Sequence, residues 1–181
     1  MTAMKTITIS LASAAALFLL GGPAAGQEPT SALRGHNTAS PVDVAADRIE
    51  VQDRADRAIF SGNVVARQAN LTMNAARVTV AYSNAGGIEI ERIDASGGVT
   101  VRSPSETAKG QFAIYDLRSR LITLLGNVTL TRGASHVNGA RLVLDLETGR
   151  AVMDGGTRTA AGTSESGGRV TGRFTVPQRS N

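Results

Sequence analysis

From Val42 onward the chain alternates apolar and polar side chains with a period of two. Pairs of apolar positions two apart fall at Val42 and Val44, Ile49 and Val51, Ala58 and Phe60, Val64 and Ala66, Leu71 and Met73, Val78 and Val80, and Val99 and Val101. Successive side chains on a strand point to opposite faces, so this pattern predicts half-buried strands. No apolar stripe of helical period runs for three turns in this part of the chain. The fold class is therefore all-β.

The pattern also repeats. Ala46-Asp47-Arg48-Ile49-Glu50-Val51 resembles Ala75-Ala76-Arg77-Val78-Thr79-Val80 and Gly139-Ala140-Arg141-Leu142-Val143-Leu144. Gly110-Gln111-Phe112-Ala113-Ile114-Tyr115 is a weaker copy. Each copy runs on to a glycine: Gly62, Gly97, Gly126 and Gly155. Extra residues at Ser83 to Gly87 account for the longer second copy. A fixed period of this kind marks stacked supersecondary units.

Counting by two carries the inward face straight through each glycine, as in Ala58, Phe60, Gly62, Val64, Ala66 and in Ile122, Leu124, Gly126, Val128, Leu130. A tight hairpin would reverse the chain there. The glycines instead predict continuous strands sharply bent at Gly62, Gly97, Gly126 and Gly155, with both arms facing one interior. Reversals are expected at Asp53 to Arg57, Leu117 to Arg120 and Glu147 to Arg150. Residues 156–168 hold no large apolar side chain and are expected to be a flexible linker. Val170, Gly172, Phe174 and Val176 then restore one last strand, which Pro177 ends.

The N-terminus adds a targeting expectation. Lys5, the apolar run Ile7 to Leu20, the breaker Gly21-Gly22-Pro23 and the small residues Ala24-Ala25-Gly26 have the layout of a cleavable secretory signal over 1–26. Residues 27–40 are expected to be a flexible leader, 41–176 the folded domain and 177–181 a tail. About 155 residues would remain after cleavage, enough for one domain with a core. The sequence contains 0 cysteines, so no disulfide or thiolate chemistry enters. An exported chain of this composition fits the periplasm of a Gram-negative bacterium.

Charge and chemistry exclude more than they assign. The basic residues are nearly all arginines scattered singly, with Trp 0, Tyr 2 and Phe 4, so nucleic acid is not an expected partner. His36 and His136 have no partners at ligand spacing, so neither a metal nor a cofactor is expected. There is no Gly-x-Ser-x-Gly elbow, and the Gly-Asn-Val corners lack the Lys-Ser/Thr and helix of a phosphate loop. No enzyme is expected. An aliphatic interior suits acyl chains. Periodicity alone favours the plainer reading, in which these residues pack on one another as a sandwich core.

Pro41-Val42-Asp43-Val44-Ala45-Ala46-Asp47, Phe60-Ser61-Gly62-Asn63-Val64 and Asn74-Ala75-Ala76-Arg77-Val78 resemble the OstA-like periplasmic lipopolysaccharide-transport proteins, the LptA family. So do Leu125-Gly126-Asn127-Val128, Gly139-Ala140-Arg141-Leu142 and Gly168-Arg169-Val170. The resemblance implies a β-jellyroll of stacked V-shaped antiparallel strands, open at both ends, with lipid A acyl chains in its groove. It places Val42, Val101, Tyr115 and Leu117 at groove positions. With the inward face, the expected lining becomes Val42, Val44, Ile49, Val51, Phe60, Val64, Met73, Val78, Val80, Val99, Val101, Tyr115, Leu117, Leu124, Val128, Leu130, Leu142 and Leu144. Aligning the third copy with the fourth puts Ala113 and Tyr115 inside and Phe112 and Ile114 outside. The resemblance further implies lipopolysaccharide as cargo, head-to-tail self-association, an inner-membrane LptC-like partner at the N-terminal edge and an outer-membrane LptD-like translocon at the C-terminal edge. Two other readings stay open: an inner-membrane-anchored LptC-like relative, and a structural β-solenoid filament without lipid.

Overall fold

The structure is a computed structural model, and it describes residues 36–84, 86–156 and 168–175. The expected signal over 1–26, most of the leader, nearly all of the 156–168 linker, and Val176 with Pro177 lie outside the described residues. The strands are β1 (Val42–Ala45), β2 (Arg48–Gln52), β3 (Arg57–Gln68), β4 (Leu71–Ser83), β5 (Glu89–Arg102), β6 (Glu106–Asp116), β7 (Leu121–Arg132), β8 (Ser135–Asp145), β9 (Ala151–Asp154) and β10 (Thr171–Arg173). They form one antiparallel sheet in the order β1-β3-β4-β5-β6-β7-β8-β10, with β2 also on β3 and β9 also on β8.

Each long strand is bent, and the bend divides the sheet into two arms. The pairing register shifts between Ser61 and Val64, Asn74 and Arg77, Ser96 and Val99, Lys109 and Phe112, and Leu125 and Val128. These bulges line up across the sheet, so the kinks form a single fold line. Gly62, Gly97 and Gly126 sit on it with φ of 77, 83 and 80°. The following residues Asn63, Gly98 and Asn127 are also left-handed, at 45, 82 and 48°. Glycine and asparagine are the residues that enter this region most readily, which explains the Gly-Asn corners.

The two edges keep this V shape with broken strands. β1 and β2 are separated at Ala46-Asp47, where the Asp47 N–H donates to the Gly62 carbonyl at 3.0 Å. At the other edge β9 and β10 pair with opposite halves of β8, and the Gly168 N–H donates to the Gly155 carbonyl at 3.0 Å. Reversals occur where expected, at the 3₁₀ turn Asp53–Ala55 and in the turns after Asp116 and Asp145.

Four expectations need correction. Gly155 follows β9 with no left-handed φ; the left-handed residue is Gly156, at 81°, because the bend of this broken strand falls one position later. Gly172, which continues the inward alternation like the corner glycines and so counts with them as an expected bend, lies inside β10 opposite Val137, away from the fold line. The last strand is three residues long and leaves Val170 and Phe174 exposed, since it has a neighbour on one side only. Residues 36–40 are not a loose leader: the Thr38 N–H donates to the His36 carbonyl at 3.0 Å and the His36 side chain is buried.

Candidate functional site: the interior between the arms

The inward face is apolar from edge to edge. One row on the first arm runs Ile49, Phe60, Val78, Ala95, Ala113, Leu124, Leu142, Met153, each residue opposite the next across the ladder. A second row, farther from the fold line, runs Val51, Ala58, Val80, Ile93, Tyr115, Ile122, Leu144, Ala151. The other arm answers with Val44, Ala66, Met73, Val101, Ala108, Leu130, Val137 and Gly172. On β3, β5 and β7 the inward positions keep their count of two through the kink, whereas on β4, β6 and β8 they move by one residue at the fold line, so the rows of both arms face one interior.

Of the expected lining, Val64, Met73, Val78, Val80, Val99, Val101, Tyr115, Leu124, Val128, Leu142 and Leu144 lie in one buried cluster. Val42, Val44, Phe60, Leu117 and Leu130 are partly buried against it. Ile49 and Val51 are not in the cluster: both are 57% exposed. They share the inward face with Phe60 and Ala58, but among the described residues β2 is an edge strand that pairs only with β3. Ala113 and Tyr115 are buried while Phe112 is 51% exposed, the orientation that aligning the third copy with the fourth predicts. Of the large residues in the cluster, Leu71, Ile93, Ile122 and Leu146 were missing from the expected lining. Counting by two onward from Leu144 reaches Leu146, and Ile122 begins the run Leu124, Gly126; Ile93 is followed two positions later only by small Ala95.

The arms touch. Ile93 and Tyr115 from one arm and Ala66, Leu71 and Met73 from the other surround a cavity of about 20 Å³. A second, of about 10 Å³, lies among Leu71, Val101, Ala108, Leu130 and Leu144. Each has room for little more than a water-sized sphere.

Polar groups enter the interior only toward the free ends of the arms. Gln68 continues the inward series Val64, Ala66 and is buried at 4% exposure. Its Oε1 accepts from the Tyr115 hydroxyl at 2.8 Å and from His36 Nε2 at 3.1 Å. Its Nε2 donates to the Thr38 and Ser40 carbonyls at 2.9 and 3.0 Å. His36 Nδ1 faces the Asn70 amide at 2.9 Å. Burial pushes the Tyr115 hydroxyl up to about 12, against an opposing pull from Arg120. On the arm of Gln68, buried Glu106 pairs with Arg132 directly opposite. The signal for both sets was a polar residue at an inward position: Gln68 two beyond Ala66, Glu106 two before Ala108 and Arg132 two beyond Leu130. Among the described residues no group of three acidic, histidine or cysteine side chains could hold a metal.

A bent antiparallel sheet, open at both edges and apolar on its inner face, defines a β-jellyroll of the lipopolysaccharide-transport type. The family model described as LptA/(LptD N-terminal domain) LPS transport protein matches residues 43–150, and the chain belongs to that family. It is a family of transport proteins rather than enzymes. The chain is 31% identical over 145 residues to an uncharacterised protein of Rhizobium meliloti (strain 1021), covering 75% of this chain and 78% of that one. Its fold is similar to that of LptH, the LptA-homologous periplasmic component of the lipopolysaccharide transport device of Pseudomonas aeruginosa. That match has a TM-score of 0.66 at 18% identity and covers 78% of this chain and 99% of LptH.

Proposed function

We propose that the protein is a periplasmic lipopolysaccharide carrier that shields lipid A acyl chains between its two arms. In this reading it links inner-membrane and outer-membrane transport components. The observation that carries it is the run of aliphatic rows across eight strands, ending at the β2 edge in the exposed apolar side chains Ile49 and Val51. A core built only to fold would be capped at its edges, because an uncovered apolar edge strand invites pairing. Here an acyl chain, or the next sheet, can continue the row. Each buried methylene of such a chain is worth about 0.8 kcal/mol, which offsets the apolar contacts given up as the arms part. The β1–β2 edge is the proposed site for an inner-membrane LptC-like partner or a preceding copy of this chain. The β9–β10 edge is the proposed site for an outer-membrane LptD-like translocon or a following copy.

Photo-crosslinking tests the cargo. A probe at Val42 or Tyr115 should capture lipopolysaccharide, and one at Glu50, on the opposite face, should not. Equal capture at all three would sink the assignment of the groove. N-terminal sequencing of the exported protein tests the anchored LptC-like alternative, since a start near Gln27 removes the anchor.

The close contact of the arms favours one second reading, a structural filament with a self-packed core. Delipidated protein that forms fibres and never takes up lipid A would decide for it.

A further inference from the structure

The two arms diverge from the fold line, so their free ends form the mouth of the trough. One hydrogen-bonded set ties that mouth shut. Tyr115 projects from the second row of one arm, and its hydroxyl donates to Gln68 on the other at 2.8 Å. The four hydrogen-bonding positions of the Gln68 amide are all used: two into Oε1, from Tyr115 and His36, and two out of Nε2, to the Thr38 and Ser40 carbonyls. Residues 36–40 are thereby strapped beside the mouth, ahead of β1, with His36 buried at 7% exposure. Apart from Glu106 and Arg132 the interior that this set closes is apolar, and the cavities of about 10 and 20 Å³ between its arms have room for little more than a water-sized sphere. Nothing as large as an acyl chain enters unless the arms part. A buried polar bridge of this kind suits a device that must open: apolar rows slide and re-pack, whereas a hydrogen bond between fixed groups is either made or broken.

We propose that Tyr115, Gln68 and His36 form a latch holding the trough closed, and that its release is the step that admits an acyl chain. The nature of what enters rests on the carrier reading above; the latch itself does not. Release breaks the Tyr115–Gln68 bond and frees the strap, after which the hydroxyl and amide lie at the mouth, where polar head atoms of an amphiphile or water can satisfy them.

The chain has 0 cysteines, so introduced thiols report position by position. Ile93→Cys places one beside Tyr115 at the mouth, and Val78→Cys places one in the row nearest the fold line; both sites are buried. In each background, maleimide labelling is compared with and without Tyr115→Phe, and with and without Gln68→Leu. For Tyr115→Phe the latch predicts labelling about fivefold faster at position 93, the effect of one net hydrogen bond, and for Gln68→Leu, which removes three further bonds, at least as large a rise, with little change at 78 in either. The double variant should label no faster than the faster single, because both remove the same bond. Labelling unchanged at 93, or rising equally at 93 and 78, overturns the latch. Uptake of lipid A from detergent micelles is then followed in the parent and in Tyr115→Phe. Faster uptake by the variant supports the admission step, and equal uptake overturns it. If neither protein binds lipid A while labelling at 93 still responds, the carrier reading fails and the latch stands.

Discussion

A Cβ built on Gly97 would stand 2.6 Å from the Cβ of Ala76, so the fold line at this point leaves no space for a side chain. The same relationship recurs along the sheet. Gly62 faces Asp47, Gly126 faces Gln111, and Gly156 faces Ala140. Asp47, Ala76, Gln111 and Ala140 are the second residues of the four sequence repeats. The repeat is thus the imprint of one packing contact, in which a residue on one strand closes over a glycine kink in the next.

This contact separates two neighbouring glycines. Gly97 and Gly98 both have left-handed φ, but a Cβ on Gly98 would meet nothing within 4 Å. Gly98→Ala should therefore cost only the conformational penalty, about 1–2 kcal/mol. Gly97→Ala adds a clash between two Cβ atoms that cannot rotate away, and its loss should exceed that of Gly98→Ala by about 1–3 kcal/mol. Denaturant unfolding of both variants at unchanged m checks the order. Equal losses would show that the fold line yields.

Burial makes a second contrast. Leu124 and Leu142 are 0% exposed on adjacent strands, and truncating either to alanine should cost about 2–5 kcal/mol. Val51→Ala, on the same inward face but 57% exposed, should cost less than about 1 kcal/mol. If Val51→Ala in the isolated protein matched the leucines, the edge would be covered in solution by a second molecule. Sedimentation would then show that molecule.

Strand positions and inward faces were legible because alternation reports a half-buried sheet directly, and the glycine corners kept their phase through the bend. Three features were not. The exposure of Ile49 and Val51 depends on where the sheet ends, and a pattern of period two is the same on an edge strand as on a central one. The shift from Gly155 to Gly156 arises where β9 breaks, with no continuous strand to hold the count. The His36–Gln68–Tyr115 set joins residues 32 and 47 positions apart, a spacing that only the folded arms bring together. Its one trace in the sequence is a glutamine at a position where alternation asks for an apolar side chain.

The turn after β8 should weaken in acid. The Asp145 carboxylate accepts from the Thr148 and Glu147 backbone N–H groups at 3.0 and 2.9 Å, and these bonds, that of Thr148 first, hold its pKa below the usual carboxylate value. A depressed folded pKa stabilises above the unfolded value of about 3.9 and is lost as pH falls through the folded value. The turn is open to solvent, so the contribution is under about 1 kcal/mol. Asp145→Asn should lower stability at pH 7 and flatten the stability profile below about pH 4 relative to the parent. An unchanged acid slope would mean that the carboxylate plays no part in the turn.

Tyr115 should govern the alkaline limb. Its hydroxyl donates to Gln68 at 2.8 Å inside the protein, and burial raises its pKa to about 12. The unfolded phenol titrates near 10, so the folded state resists losing this proton. The associated stability is complete below about pH 10 and falls away as pH rises toward and through 12, by up to ~3 kcal/mol for a shift of this size. Ionisation does more than remove the donor: the phenolate oxygen would face the Gln68 carbonyl oxygen, two acceptors with no proton between them. Tyr115→Phe removes this titration while keeping the ring in the apolar row. The variant should be less stable than the parent at pH 8, by about 1 kcal/mol for the lost hydrogen bond, and should lose less on going to pH 11.5. Chemical denaturation at the two pH values measures both differences. Parallel alkaline losses in parent and variant would show that the hydroxyl is already free at pH 8 and that Gln68 does not hold it.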